Sequence, residues 1–572
     1  MPTLGTMTTQ LGPSYRSETL NELDGGRFDV VIIGGGITGV GCALDAISRG
    51  LSVALIEQRD LASGTSSRSS KLIHGGLRYL EQLDIKLVRE ALRERALLRQ
   101  SIAPHLVWPV PFVYPIKHRI WERAYMTVGI GMYDVLAKIG HSTLPHQWHL
   151  GRKDLKRVFP GIKEKAFVGG IRYYDAGTDD ARLVVAIART AADRGARILS
   201  SARVTGLGRD DTGRVTSVEA TCLESGQQLK IETSVVINAT GVWTDATEML
   251  VGDAETEVTA SKGIHIVVPK SAIDSTVGFI TKTKTSVLFL IPYGEFWIIG
   301  TTDTPWELGL PHPAASERDI AYVLEHANEI LERQLTPDDV LGVFAGLRPL
   351  VTGNAESTAK LSREHSITEP VPGLITIAGG KLTTYRVMAE DTVNSACASA
   401  CANVPDTKTD QIALIGANGY STMLRNRKEL ATMYGITEDE ITRLLHRYGS
   451  ETTTILDLAA SDPKLGKHLP SGQYLGAEVH FAVTHEAALH LDDVLTRRTR
   501  LSIESADRGT EAAEFVASIM APLLGWDENT VANEIDHYNK RVEAERESQT
   551  MPDDRTADAA RLGAEDIRTL GI

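Results

Sequence analysis

The chain has 572 residues, of which 42% are hydrophobic and 23% charged, and its net charge is −14. That length exceeds what one compact core supports, so two or three domains are expected. The acidic balance excludes nucleic acid as a main partner, since phosphate-backbone binding needs a basic field, although a local Arg/Lys cluster can still admit a small anion to one cleft.

Residues 1–26 lack the basic-then-apolar build of a secretory signal and read as a loose tail. Asp29–Ile33 is a short apolar strand, Ile37–Arg49 a helix and Leu51–Ile56 a second apolar strand. This is a βαβ unit whose strands suit a buried parallel sheet. Asp84–Arg99 reads as a helix with Ile85, Val88 and Leu92 on one face and solvated charges on the other. Gln100–Ile116 carries no formal charge but contains four prolines. It therefore cannot be a spanning helix, which needs about 20 residues with intact hydrogen bonding. Its Pro104–Pro115 part is expected to lead out of the nucleotide domain, and the protein to be soluble or to rest on a membrane surface.

The apolar segment Trp121–Ile139 reads as core. Further strands are expected at Ala196–Leu199, Val235–Asn238, Ile264–Val268, Ser286–Ile291 and Phe296–Ile299. Beyond about residue 405 the pattern becomes helical, and from Ser548 it is polar and expected to fray. The four cysteines suit a reducing compartment. Cys397 and Cys401 are four apart on one face of an expected helix and read as small core residues. His485 and His490 fall five apart, about 140° around a helix, and cannot share a metal. His146 and His149 read as surface loop residues, and no metal site is expected.

Gly34-Gly35-Gly36-Ile37-Thr38-Gly39 fits G-x-G-x-x-G between a strand and a helix. There Gly34 allows the tight turn, Gly36 the approach of a pyrophosphate to the backbone, and Gly39 close helix–sheet packing. Glu57 ends the second strand 18 residues past the last glycine, where a carboxylate accepts ribose hydroxyls and repels a 2′-phosphate. Val235–Gly241 resembles the Ala-Thr-Gly strand end that closes over FAD in two-dinucleotide-fold flavoproteins. Only one full glycine motif is present, so a second nucleotide domain is not expected and another substrate must reduce the flavin directly.

The run Gly64-Thr65-Ser66-Ser67-Arg68-Ser69-Ser70-Lys71-Leu72-Ile73-His74-Gly75-Gly76-Leu77-Arg78-Tyr79-Leu80 closely resembles FAD-dependent glycerol-3-phosphate dehydrogenases, within the D-amino-acid-oxidase-like flavoproteins. The likeness recurs at Ser261–Pro269, Ile299–Thr304, Gly346–Leu350, Leu361–Glu364, Ala378–Arg386 and Leu491–Arg500. It implies an α/β fold. A Rossmann-like FAD-binding domain would be assembled from 27–110, 166–260 and 340–400. An antiparallel-sheet substrate domain would come from 111–165 and 261–339, and an all-α C-terminal cap from 405–547, before a polar tail at 548–572.

The same resemblance places Arg78, Tyr79, His265, Arg348, Arg363 and Lys381 in the substrate pocket, with His265, Arg348 and Lys381 catalytic. Against FAD it places Gly34, Gly36, Ile37, Thr38, Gly39, Glu57, Thr65, Ser66, Ser67, Ser70, Lys71, His74, Gly75 and Gly76. Ala239, Thr240, Gly241, Gly380, Lys381, Leu382 and Thr383 complete that set. Several arginines suit a phosphomonoester dianion, which a planar guanidinium holds bidentately. His265 is the preferred base, since an imidazole pKa near 6.5 suits removal of a hydroxyl proton. The implied reaction oxidises sn-glycerol 3-phosphate to dihydroxyacetone phosphate, with the quinone pool as acceptor. Peripheral contact with the inner face of the cytoplasmic membrane is compatible with it, and a homodimer is left open. An oxygen-using oxidase and a non-catalytic flavin redox sensor are the rivals; a sensor needs no phosphate clamp.

Overall fold

The computed structural model describes residues 9–76, 85–117, 131–133, 144–164, 166–252, 256–283, 287–351 and 365–568. Its first sheet is built on Arg27–Ile33, an apolar strand buried over its last four residues. Gln228–Asn238 and Val53–Ile56 flank it in parallel, and Leu374–Gly379 and Arg197–Leu199 extend the parallel order outward. Runs of Val, Ile and Leu buried on both faces are what a parallel sheet covered by helices requires. Ile37–Ser48, Asp180–Asp193 and Tyr385–Ser399 supply one cover and share a core with the strands. The hairpin Ala202–Arg209 and Val215–Cys222 joins the sheet antiparallel through Gln228–Glu232.

Among the described residues the second sheet has ten strands and is mainly antiparallel, with Val258–Pro269 paired to Phe296–Gly300 on one side and Gly342–Val351 on the other. Leu72–Ile73, Gly169–Thr178 and Gly342–Val351, all within ranges assigned from sequence to the FAD-binding domain, are strands of this sheet. Gly169–Thr178 pairs with Val107–Ile116, and Gly342–Val351 pairs with Val258–Pro269. The proline-rich stretch, read from sequence only as leading out of the nucleotide domain, is a ten-residue strand of this sheet. Pro109, Pro111 and Pro115 share one parity, so their missing N–H groups all fall on one side of the strand. The neighbour Gly278–Lys282 pairs there only at Phe112 and Val113, and little hydrogen bonding is lost.

From Tyr420 to Leu562 the chain is helical, around its own apolar core. Both expected loose ends differ from the reading of the sequence. Pro13–Leu23 is a helix that buries Tyr15, Thr19 and Leu23, and the Tyr15 hydroxyl donates to Ala196 O while accepting from Ile198 N–H, both at 3.0 Å. Asp554–Leu562 is also helical, its N-terminus fastened by the buried Lys262 ammonium, 2.5 Å from both Asp554 and Asp319. Arg568 reaches Asp493 at 2.7 Å. Polar composition concealed the C-terminal contacts because they are ionic. Cys397 is buried in its helix, but Cys401 lies past the helix end and is exposed. His149 sits on the short strand Trp148–Gly151 rather than in a loop. Of Trp121–Ile139 only 131–133 are described, and there Tyr133 is buried. Among the described residues no helix is long and apolar enough to cross a membrane.

Candidate active site

A cleft of about 400 Å³ runs across the carboxyl ends of the parallel strands. At its start the chain leaves Ile33 through Gly34, whose φ is +108°. A Cβ on Gly34 would lie 2.7 Å from Ala239 O, and one on Gly39 only 1.9 Å from Gly34 O. Both approaches exclude any other residue. The Ile37 N–H at the helix start donates to Ser66 Oγ at 2.9 Å. Glu57 accepts the Gly35 N–H at 2.6 Å and the Arg59 N–H at 2.8 Å. Burial pushes its carboxyl up, while those two N–H bonds pull it down. At the other end Gly379 and Gly380 adopt φ of +78° and +82°, and a Cβ on Gly380 would lie 2.4 Å from Met388.

Of the expected cofactor residues, Gly34, Gly36, Ile37, Thr38, Glu57, Thr65, Ser66, Ala239, Thr240, Gly241, Gly380, Lys381 and Leu382 line this cleft. Gly39, Ser67, Ser70, Lys71, His74, Gly75, Gly76 and Thr383 do not. Several of these hold the cleft in shape. The Lys71 ammonium is fully buried, 2.7 Å from Asp180 and donating to Ser67 O at 3.1 Å. Thr383 Oγ1 bonds both the N–H and the carbonyl of His74 at 3.2 Å. Gly75 N–H donates to Tyr133 Oη and Asp175, where a Cβ would strike Leu92 at 2.4 Å. The sequence reading missed Arg59, Arg203, Val204 and Trp243, which also line the cleft. Arg59 lies two residues past Glu57 and was within reach of the motif. Arg203 and Val204 arrive on a hairpin whose proximity no local pattern signals.

The second sheet sets its side chains beside the loop Thr65–Lys71. Gly263 and His265 share one face of their strand, and Phe344, Gly346 and Arg348 lie on the same face of the strand paired with it. Glycines make room on it: a Cβ on Gly263 would meet the Arg348 guanidinium at 2.6 Å, one on Gly300 the His265 ring at 2.4 Å, and one on Gly346 the Arg68 carbonyl at 2.6 Å. His265 Nε2 bonds Ser70 Oγ at 2.8 Å, and its ring stacks on Phe344 with centroids 4.9 Å apart. Its Nδ1 is buried and without a hydrogen bond. Burial, with Arg348 and Lys71 nearby, pushes the imidazole down to about 3. The ordinary pKa expected from sequence therefore does not hold, and His265 is neutral at neutral pH. Arg348 is a quarter exposed, 3.2 Å from Asp303 and within 3.1 Å of Thr301 Oγ1. Arg78, Tyr79 and Arg363 lie outside the described residues.

The cleft can be tested for FAD on its donor set. It offers a glycine turn at a helix N-terminus for a pyrophosphate, a carboxylate at one end for ribose hydroxyls, and Gly380 with Lys381 at the other for an electron-rich ring edge. These groups fit a long dinucleotide.

Comparison with known proteins agrees with that donor set. Residues 29–390 match the family described as FAD dependent oxidoreductase, and residues 407–531 match the C-terminal domain of alpha-glycerophosphate oxidase. The chain is 49% identical to the glycerol-3-phosphate dehydrogenase of Mycobacterium leprae, over 98% of this chain and 95% of the relative. It is 37% identical to the human mitochondrial glycerol-3-phosphate dehydrogenase, over 90% of this chain and 73% of the relative. Among solved structures, the glycerol-3-phosphate dehydrogenase of Bacillus halodurans complexed with FAD superposes with a TM-score of 0.77. That match has 28% identity and covers 93% of this chain and 98% of the other.

Proposed function

Because this chain belongs to the FAD-dependent oxidoreductases, in the group of glycerol-3-phosphate dehydrogenases, we propose that it oxidises sn-glycerol 3-phosphate at C2 to dihydroxyacetone phosphate. The observation that carries this reading is the meeting of His265 and Arg348 on one sheet surface beside the loop that also lines the cofactor cleft. When bound, FAD supplies a hydride acceptor at the end of the cleft near Gly380 and Lys381.

The chain's own residues do the rest. Arg348 offers a planar fork to the substrate phosphate, joined by Lys381 and, from the family pattern, by Arg78, Tyr79 and Arg363. The neutral His265 takes the C2 hydroxyl proton, and Ser70 keeps its ring in register. A dianion bound at Arg348 offsets one of the charges that depress the imidazole, so the base strengthens as substrate arrives. Electrons then pass to a quinone, and contact with a membrane surface would bring that acceptor within reach. Anaerobic reduction by glycerol 3-phosphate, followed by separate addition of a soluble quinone and of oxygen, tests this. Rapid reoxidation by quinone and slow reoxidation by oxygen are expected; the reverse would make the protein an oxidase.

A further inference from the structure

A second cavity, of about 90 Å³, lies between the loop Thr65–Lys71, the strand Gly342–Val351 and the last C-terminal helices, and shares no lining residue with the cofactor cleft. Six arginines line it: Arg68, Arg497, Arg500, Arg508, Arg541 and Arg561. Two are already neutralised, Arg497 by Asp60, Asp492 and Asp493, and Arg500 by Asp179 and Asp180. The other four face only two lining carboxylates, Asp492 and Glu545.

Their pairing is incomplete. Arg541 lies 3.1 Å from Asp492, but Arg508 and Arg561 share Glu545 at 3.8 and 3.5 Å, which is too long for strong charge-assisted bonds. Arg508 Nη1 is buried with no hydrogen bond. The Arg68 guanidinium makes no hydrogen bond or ion pair with any described residue. Burial, reinforced by the neighbouring arginines, pushes Arg68 down to about 9 and Arg561 down to about 10. A buried cation without a counter-charge is costly, and because Asp492 is shared with Arg497, the four guanidinium groups outnumber the carboxylates that line the cavity.

We propose that this cavity binds a small dianionic oxyanion of the phosphate type, held by the guanidinium groups of Arg68, Arg508, Arg541 and Arg561. Its volume is that of about three water molecules, which suits a free tetrahedral oxyanion and is small for a three-carbon ester. The bound ion joins three parts of the molecule. Arg68 stands two residues before Ser70, the partner of His265; Phe344, which stacks on His265, also lines the cavity; and Arg508, Arg541 and Arg561 belong to the helical part. Free phosphate would thus fasten the C-terminal helices to the loop behind the candidate base.

The test is calorimetric titration of the FAD-loaded protein with inorganic phosphate, in the wild type and in the Arg348→Gln, Arg68→Gln and Arg561→Gln variants. Two classes of site are expected in the wild type. Arg348→Gln weakens the one in the substrate pocket, while Arg68→Gln and Arg561→Gln each weaken the other by roughly tenfold or more. In the Arg348→Gln background, glycerol 3-phosphate should bind the remaining site at least about tenfold more weakly than phosphate does. In phosphate-free buffer Arg68→Gln should raise Tm, because it removes a repelled cation with no partner to lose, and Tm should no longer climb with added phosphate. A single class abolished by Arg348→Gln overturns the proposal. So does a second class indifferent to both other variants, equal binding of the ester there, or a lower Tm for Arg68→Gln without phosphate.

Discussion

Glu57 and Arg348 carry opposite halves of the site's electrostatics. Glu57 is held by two backbone N–H groups, so its position does not depend on a ligand. Glu57→Ala removes a charged acceptor for the ribose hydroxyls, worth about 1.5–3 kcal/mol, and should weaken FAD affinity roughly 10- to 100-fold. Fluorescence titration of the deflavinated variant checks this, and unchanged affinity would take Glu57 out of the site. Arg348 is anchored to Asp303 and Thr301 but keeps a quarter of its side chain accessible. Arg348→Ala should lower kcat/KM for glycerol 3-phosphate by about 10- to 100-fold and leave the flavin spectrum intact. Normal kinetics would make it a structural ion-pair residue. The placement of the glycine motif and Glu57 at the cleft was legible in the sequence because local chain geometry alone sets it. The burial of His265 was not: its depressed pKa depends on Phe344 and Arg348, which arrive from a strand about 80 residues away in sequence.

The helical part is joined to the first sheet by groups that local pattern could not pair. His490, just past the helix Gly476–His485, is bracketed by Glu534 at 2.6 Å and by Glu224, in the turn between the strands Val215–Cys222 and Gln228–Asn238, at 3.0 Å. Burial and Arg568 oppose its charge, yet the two carboxylates prevail and raise its pKa to about 9. A folded pKa above the unfolded value of about 6.5 gives stability that is complete below that value and is lost as pH rises through about 9. The linked term is about 3 kcal/mol. Tm should therefore fall more steeply between pH 7 and 9.5 in the wild type than in His490→Gln. Parallel curves would show that the imidazolium is not maintained in the folded state. From sequence, His490 drew notice only through its failed metal spacing with His485, because neither glutamate lies near it in the chain.

At the scale of the molecule, the alternation of apolar strands and helices announced the parallel sheet, and Leu-, Ala-, Glu- and Arg-rich composition announced the helical part. The interleaving of the two sheets was less legible. Gly169–Thr178 and Gly342–Val351 look like any buried strand, and only their partners assign them to the second sheet. The prolines of Val107–Ile116 marked a way out of the nucleotide domain but concealed a strand, which only their common parity set against the sheet explains. That interleaving lets His265 and Arg348 stand over the loop that lines the cofactor cleft, the placement on which the proposed phosphate recognition rests. On the proposed reading, remote phosphate binding energy would place C2 against the flavin, and a substrate without it would lose that positioning. The most direct measurement is the rate of anaerobic flavin bleaching by glycerol 3-phosphate and by glycerol, each at saturation. The ester should reduce the flavin at least about a hundredfold faster, from an interaction of 1.5–3 kcal/mol per charged contact acting through more than one contact. Comparable rates would contradict the phosphate clamp and leave a flavin-dependent alcohol oxidoreductase without it.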